Sequence, residues 1–142
     1  MKELINAINA VVEFGLHPNI PSDDKELTLE RNLVKIFSLY YDLTIESDDA
    51  DYPDFEKEMF PNVRENLTSN FPLYFEVSNL IDDVCGFPSD DLPEIVYDLL
   101  EAKWRIENNS LADGLFYFQL HFYSHTQRHI LRLLCYMKEK NG

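Results

Sequence analysis

Apolar residues recur at intervals of three and four through most of this chain, the period of helices buried along one side. In residues 2–14, KELINAINAVVEF, Leu4, Ile5, Ile8, Val11 and Val12 share one broad face, and Gly15 and Pro18 supply a stop. A second helix is predicted from a cap at Ser22 or Asp23 through LTLERNLVKIFSLYYDLTI, where Leu29, Leu33, Ile36, Phe37, Tyr40 and Leu43 keep helical spacing. A shorter helix is expected over about 54–66, interrupted or restarted at Pro61. Residues 70–87 contain Pro72 and a mixed apolar run, and with no partner strand evident elsewhere they read as helical or irregular. Asp91, Pro93 and Glu94 form a capping-box start for a helix reaching about Asn108. Ser110 and Asp113 begin a last long helix running to about Lys138. The expected fold is all-α: one domain over residues 1–142, a single helical bundle of about five to seven helices.

Composition agrees with a folded chain. At 142 residues, with 45% hydrophobic side chains, 10 Phe and 8 Tyr, it can bury an ordinary core. The first residues lack the order of a signal peptide, and no apolar run approaches a membrane span, so a soluble cytoplasmic protein without membrane contact is expected. Cys85 and Cys135 show no CxxC spacing and read as two buried thiols.

Charge changes the picture more. The formal net charge is −14, which argues against direct nucleic-acid binding, since that requires clustered Lys and Arg. Residues 42–58 hold eight acids and one lysine, residues 82–101 hold seven acids and no base, and the rest of the chain balances. On the predicted helix after Asp91, the residues Leu92, Ile95, Val96, Leu99, Leu100 and Ile106 form one side. Asp91, Glu94, Asp98, Glu101 and Arg105 stripe the other. A solvated surface is the ordinary reading of such runs. However, Glu94 and Asp98 repel at i, i+4, at a cost of about 0.2 to 0.5 kcal/mol, which favours a basic protein partner for the stripe.

Chemical motifs are sparse. The chain has no GxGxxG, P-loop, GxSxG or HExxH, and only four glycines from which to build an anion-binding loop. The stretch DDADYPDFEKE fails as a calcium loop, because Pro53 stands at the next alternate position after Asp49 and Asp51 and the glycine is missing. No catalytic residues, cofactor or metal are therefore expected. Three of the four histidines, His121, His125 and His129, lie four residues apart. About 12 Å of rise separates the first from the last, so on a regular helix at most two can share a metal, with carboxylates as the remaining donors. Each step of four turns about 40° round the axis. His121 falls on the rim near Arg128 and Arg132, His125 at the border, and His129 within the arc of Phe118, Phe122, Leu133 and Tyr136. The ladder reads first as packing, and Arg128 and Arg132 as partners of the protein's own acids.

The C-terminal half, from FPLYFEV through DDLPEIVYDLL to FYFQLHFYSHTQRHILRLL, resembles an all-helical bacterial family known as a domain of unknown function. Members carry an acidic segment before the penultimate helix, then a final helix with a Phe, an aromatic-Trp-Gly patch and a His. Phe122 and His129 match that pattern, whereas Thr126 and Gln127 replace the Trp and Gly. The resemblance implies an α fold and no defined activity. In type, a small acidic protein without a catalytic constellation also resembles bacterial immunity proteins, including those of contact-dependent growth inhibition. That resemblance implies a non-enzymatic toxin inhibitor which masks a basic toxin, for example a nuclease, using acidic side chains. The partner-binding residues expected on this reading are Asp48, Asp49, Asp51, Asp54, Glu56, Asp90, Asp91, Glu94, Asp98 and Glu101. The alternatives are a helical enzyme or metal-binding protein built on His121, His125 and His129, and an acidic adaptor that mimics nucleic acid.

Overall fold

The computed structural model describes residues 1–76 and 85–141. Among these residues there is no strand, and the fold is an all-α single domain. Six α-helices follow in order: α1 (Lys2–Leu16), α2 (Lys25–Tyr40), α3 (Val63–Asn70), α4 (Pro88–Asn108), α5 (Leu111–His121) and α6 (Gln127–Asn141). Short 3-10 turns lie at Lys57–Met59 and Pro72–Phe75, and a π turn at Phe122–Thr126 fuses α5 and α6 into one rod.

Helix α4 is the centre of the bundle, packed against α1, α3, α5 and α6. Its apolar face, Leu92, Ile95, Val96, Leu99 and Leu100, is fully buried as the sequence predicts. Val11 and Val12 of α1, Leu29 and Leu33 of α2, and Phe122 and Leu133 of the C-terminal rod complete the same core. Phe122 packs on Tyr40 with tilted rings 4.4 Å apart and meets Phe37 edge-on at 5.3 Å, which seats the rod against α2. The α4–α5 hairpin is tight because Gly114 has no side chain. A β-carbon there would stand 2.7 Å from the backbone nitrogen of Ile106 and 2.8 Å from the carbonyl oxygen of Ala102.

The helix ends differ from the sequence expectation in instructive ways. Gly15 lies inside α1, buried, and the helix closes on His17. Asp24, rather than Ser22 or Asp23, caps α2 by accepting from the Leu27 amide, and α2 ends at Tyr40 rather than continuing to Ile45. The expected helix over 54–66 is a 3-10 turn followed by α3. In the 70–87 segment, Pro72–Phe75 is a 3-10 turn, while residues 77–84 lie outside the described residues. Helix α4 starts at Pro88, where a missing amide hydrogen is harmless, so Asp91 sits within the helix and does not cap it. The predicted start of the last helix is as observed: Ser110 accepts from the Asp113 amide at 3.0 Å.

Two polar devices close the bundle. Buried Asn70 donates to the carbonyls of Phe14 and His17 and accepts from the Ile20 amide, so the end of α1 and the following loop are satisfied by α3. Glu26 of α2 accepts from the Tyr74 hydroxyl at 2.5 Å and from Asn141 at 2.6 Å, and pairs with Lys140 at 3.3 Å. Burial opposes ionisation of Glu26, but these donors outweigh it and hold the carboxyl below its ordinary 4.5. A lowered folded value gives stability that is present above 4.5 and lost as pH falls through the folded value. Glu26→Gln should therefore cost about 1 to 2 kcal/mol at pH 7, and urea midpoints of the two proteins should converge as pH falls through the lowered folded value.

Candidate functional site

The histidines meet the acids of α4. His129 Nδ1 lies 2.8 Å from Asp91 Oδ1, His125 Nδ1 lies 2.5 Å from Asp98 Oδ2, and the two Nε2 atoms face each other at 3.2 Å. Thr126 donates a second hydrogen bond to Asp98 at 2.8 Å, and Glu94 Oε2 stands 3.6 Å from His125 Nε2. The order of burial follows the sequence expectation, His125 being 40% exposed and His129 16%. His121 does not join them; it stacks on Tyr117 at 4.2 Å.

Four-residue spacing brings the two rings together, and a π turn lies at the start of that spacing. Such a turn is under-wound relative to an α-helix, so residues four apart drift less round the axis. The buried positions Phe118, Phe122, Thr126 and Ile130 step by four throughout, which is the signal of the turn in the sequence. Thr126 Oγ1 also lies 3.3 Å from the His121 carbonyl, five residues back.

Asp91 is 1% exposed. Burial pushes its carboxyl up from the ordinary value, against the hydrogen bond from His129 and the charge of Arg132, whose Nε is 3.6 Å away. Gly86, at φ 91°, brings the chain before α4 against this group: a β-carbon there would lie 2.9 Å from Arg132 Nε and 3.3 Å from Asp91 Oδ2. Arg132 is therefore the internal charge partner expected, whereas Arg128 is exposed and makes no ion pair among the described residues.

These contacts hold most of the α4 stripe within the bundle. Asp91 is buried, Asp98 is bonded to His125 and Thr126, and Glu101 is held by Arg105 at 2.9 Å, with Asp113 of α5 on the same guanidinium at 3.2 Å. Arg105 also lies over the Tyr117 ring at 4.8 Å. Helix amphipathicity separates apolar from polar sides, but the polar side of a central helix faces another helix whenever that neighbour offers complementary charge. Here His125 of the π turn and His129 and Arg132 of α6 meet the acids of α4, and Asp113 of α5 meets Arg105. Glu94, 43% exposed, and Asp90, exposed, remain accessible.

The other acidic window is displayed outward. Residues 46–56 have no regular structure, yet Phe55 packs on Trp104 at 5.8 Å and on Phe60 at 6.0 Å, and Lys57 sits over Tyr97 at 4.8 Å. Asp48 accepts from the hydroxyls of Tyr52 and Ser110, at 2.5 and 2.7 Å, and from the Ala50 amide; these hold its carboxyl below the ordinary value. So anchored to α4 and to the α4–α5 turn, the segment leaves Asp49, Asp51, Asp54 and Glu56 exposed, with no ion pair to any described residue.

A structural feature that the sequence reading missed is a covalent one. Cys85 and Cys135 form a disulfide with a Cα separation of 5.5 Å, tying the residue before Gly86 to α6. The two are not free buried thiols, and Cys135 is exposed. No helix among the described residues is long and apolar enough to cross a membrane. No protein-family model, curated protein or solved structure matches the chain.

Proposed function

We propose that the protein is a non-enzymatic acidic binding protein, an immunity-type inhibitor that covers the cationic surface of a basic toxin. One observation supports this best: Asp49, Asp51, Asp54 and Glu56 project from a segment pinned by Phe55 and Asp48, and no base among the described residues pairs with them. Charges held in place before encounter steer a cationic partner and lose little entropy on docking. The partner surface comprises Asp48 to Glu56, with Asp90 and Glu94 as further accessible acids; Asp91, Asp98 and Glu101 stay within the bundle. The same logic makes nucleic acid a poor ligand at a net charge of −14.

The test is association with the basic product of the reading frame adjacent to this protein's gene, followed by stopped flow at rising salt. Reversing Asp49, Asp51, Asp54 and Glu56 to lysine should slow association at least tenfold at low ionic strength and flatten the salt dependence. Reversing Glu3 and Glu13 on α1 should leave it unchanged. Equal rates for both reversals would remove the assigned surface.

A further inference from the structure

In the neutral form of an imidazole one nitrogen carries hydrogen and the other is a bare acceptor. The acceptors beside Nδ1 of His125 and of His129 are carboxylates, so each Nδ1 is the donor, and each Nε2 presents a lone pair. These two lone pairs face each other at 3.2 Å. Two acceptors repel at that distance unless a proton or a metal ion is shared between them. Glu94, on α4, turns a third lone-pair donor toward the same point, and its ligand atom and the two histidine nitrogens all lie within 4.8 Å of one another.

We propose that Glu94, His125 and His129 bind one divalent transition-metal ion of the zinc class. Two nitrogens bound to tetrahedral zinc at about 2.0 to 2.1 Å lie about 3.3 Å apart, which the observed spacing nearly matches. Glu94, 43% exposed, has the freedom to close the remaining gap. Asp98 and Asp91 act as positioning residues: each accepts from the nitrogen opposite the metal, fixing the tautomer and making the ligand more basic. Imidazole and carboxylate together suit zinc rather than calcium or magnesium, which take oxygen ligands. Three protein ligands leave a fourth coordination position, open to solvent because His125 is 40% exposed. The ion would clip α4 to the C-terminal rod, to which the chain just before α4 is already tied through Cys85 and Cys135. This inference does not rest on the acidic-binding reading, with which it shares only Glu94.

The experiment uses untagged protein, stripped with chelator and with the disulfide intact so that no thiol competes. Titration with Zn2+ by calorimetry should give one site, and Co2+ should give the intense visible absorption of a four-coordinate centre. Saturating Zn2+ at a hundredfold excess over Kd should raise the melting temperature by about 5 to 10 °C. Glu94→Gln, at a half-exposed site where the fold is not at stake, should weaken binding at least tenfold, and His125→Gln or His129→Gln should abolish it. Asp98→Asn should weaken it about 10- to 100-fold, and His121→Gln and His17→Gln should have no effect. The proposal is overturned by the absence of a site tighter than about 100 μM, by binding that survives His125→Gln, or by an unchanged affinity in Glu94→Gln. Circular dichroism of each variant, matching the parent, separates lost ligation from lost fold.

Discussion

Reduction of the Cys85–Cys135 bond, or its removal by Cys135→Ser, is expected to lower the free energy of unfolding by about 2 to 4 kcal/mol. The bond closes a loop with a sequence separation of 50, for which loop-closure entropy in the unfolded chain gives about 4 kcal/mol. Cys135 is exposed, so serine there creates no buried polar group, and the loss reflects the cross-link itself. Urea denaturation should show two changes together: a lower midpoint, and a steeper dependence on urea because the freed unfolded chain exposes more surface. Reducing agent should shift the parent protein to the Cys135→Ser curve and leave Cys135→Ser unmoved. Two titratable thiols in the oxidised, native protein would sink the prediction.

The same bond bears on where the protein works. Disulfides persist in oxidising surroundings and are rare where thiol reductants are abundant. In a reducing cytoplasm the fold would stand without this contribution, on the apolar core and on the polar ties at Asn70 and Glu26. The expectation of a cytoplasmic protein thus becomes a question about this cross-link, and the redox state of Cys85 and Cys135 in cells answers it.

The bundle was legible because apolar spacing and one core are local and additive. Leu92, Ile95, Val96 and Leu99 could be placed on a buried face from period alone, and Ser110 could be read as a cap from one residue three positions on. What required three dimensions was every relation between elements. The acids of α4 and the histidines of the last rod lie 27 and 38 residues apart in their two hydrogen-bonded pairs. A helical wheel drawn for either element alone shows only a polar stripe. The cysteines gave no sign either, since a separation of 50 is compatible with any distance. The assumption of uniform α-helix hid the π turn, although the run of four-residue steps through Phe118, Phe122, Thr126 and Ile130 encodes it. At α4 the helix began earlier than read because Pro88 serves as the N1 residue; the Asp91–Pro93–Glu94 pattern mimics a start that Pro88 had already made.

Replacing Asp91 with alanine should cost about 3 kcal/mol in metal-free protein, more than any surface acid can, because it strands a partly buried donor. Its side chain is 1% exposed, and His129, 16% exposed, directs Nδ1–H at it. Truncation leaves that hydrogen without an acceptor and opens a void between α4 and α6, whereas Arg132, 45% exposed, turns to water at little cost. Asp91→Asn separates these effects. The amide oxygen fills the same space and still accepts from His129, so its loss should stay near 1 kcal/mol or below. Equal destabilisation by alanine and asparagine would show that charge, and not the acceptor, is what the site requires. A double-mutant cycle completes the case: once Asp91 is alanine, His129→Leu should recover stability, because it removes the stranded donor and fills the space with apolar surface. If the two changes simply add, His129 and Asp91 are neighbours without being partners, and the positioning of Nε2 toward His125 must have another cause.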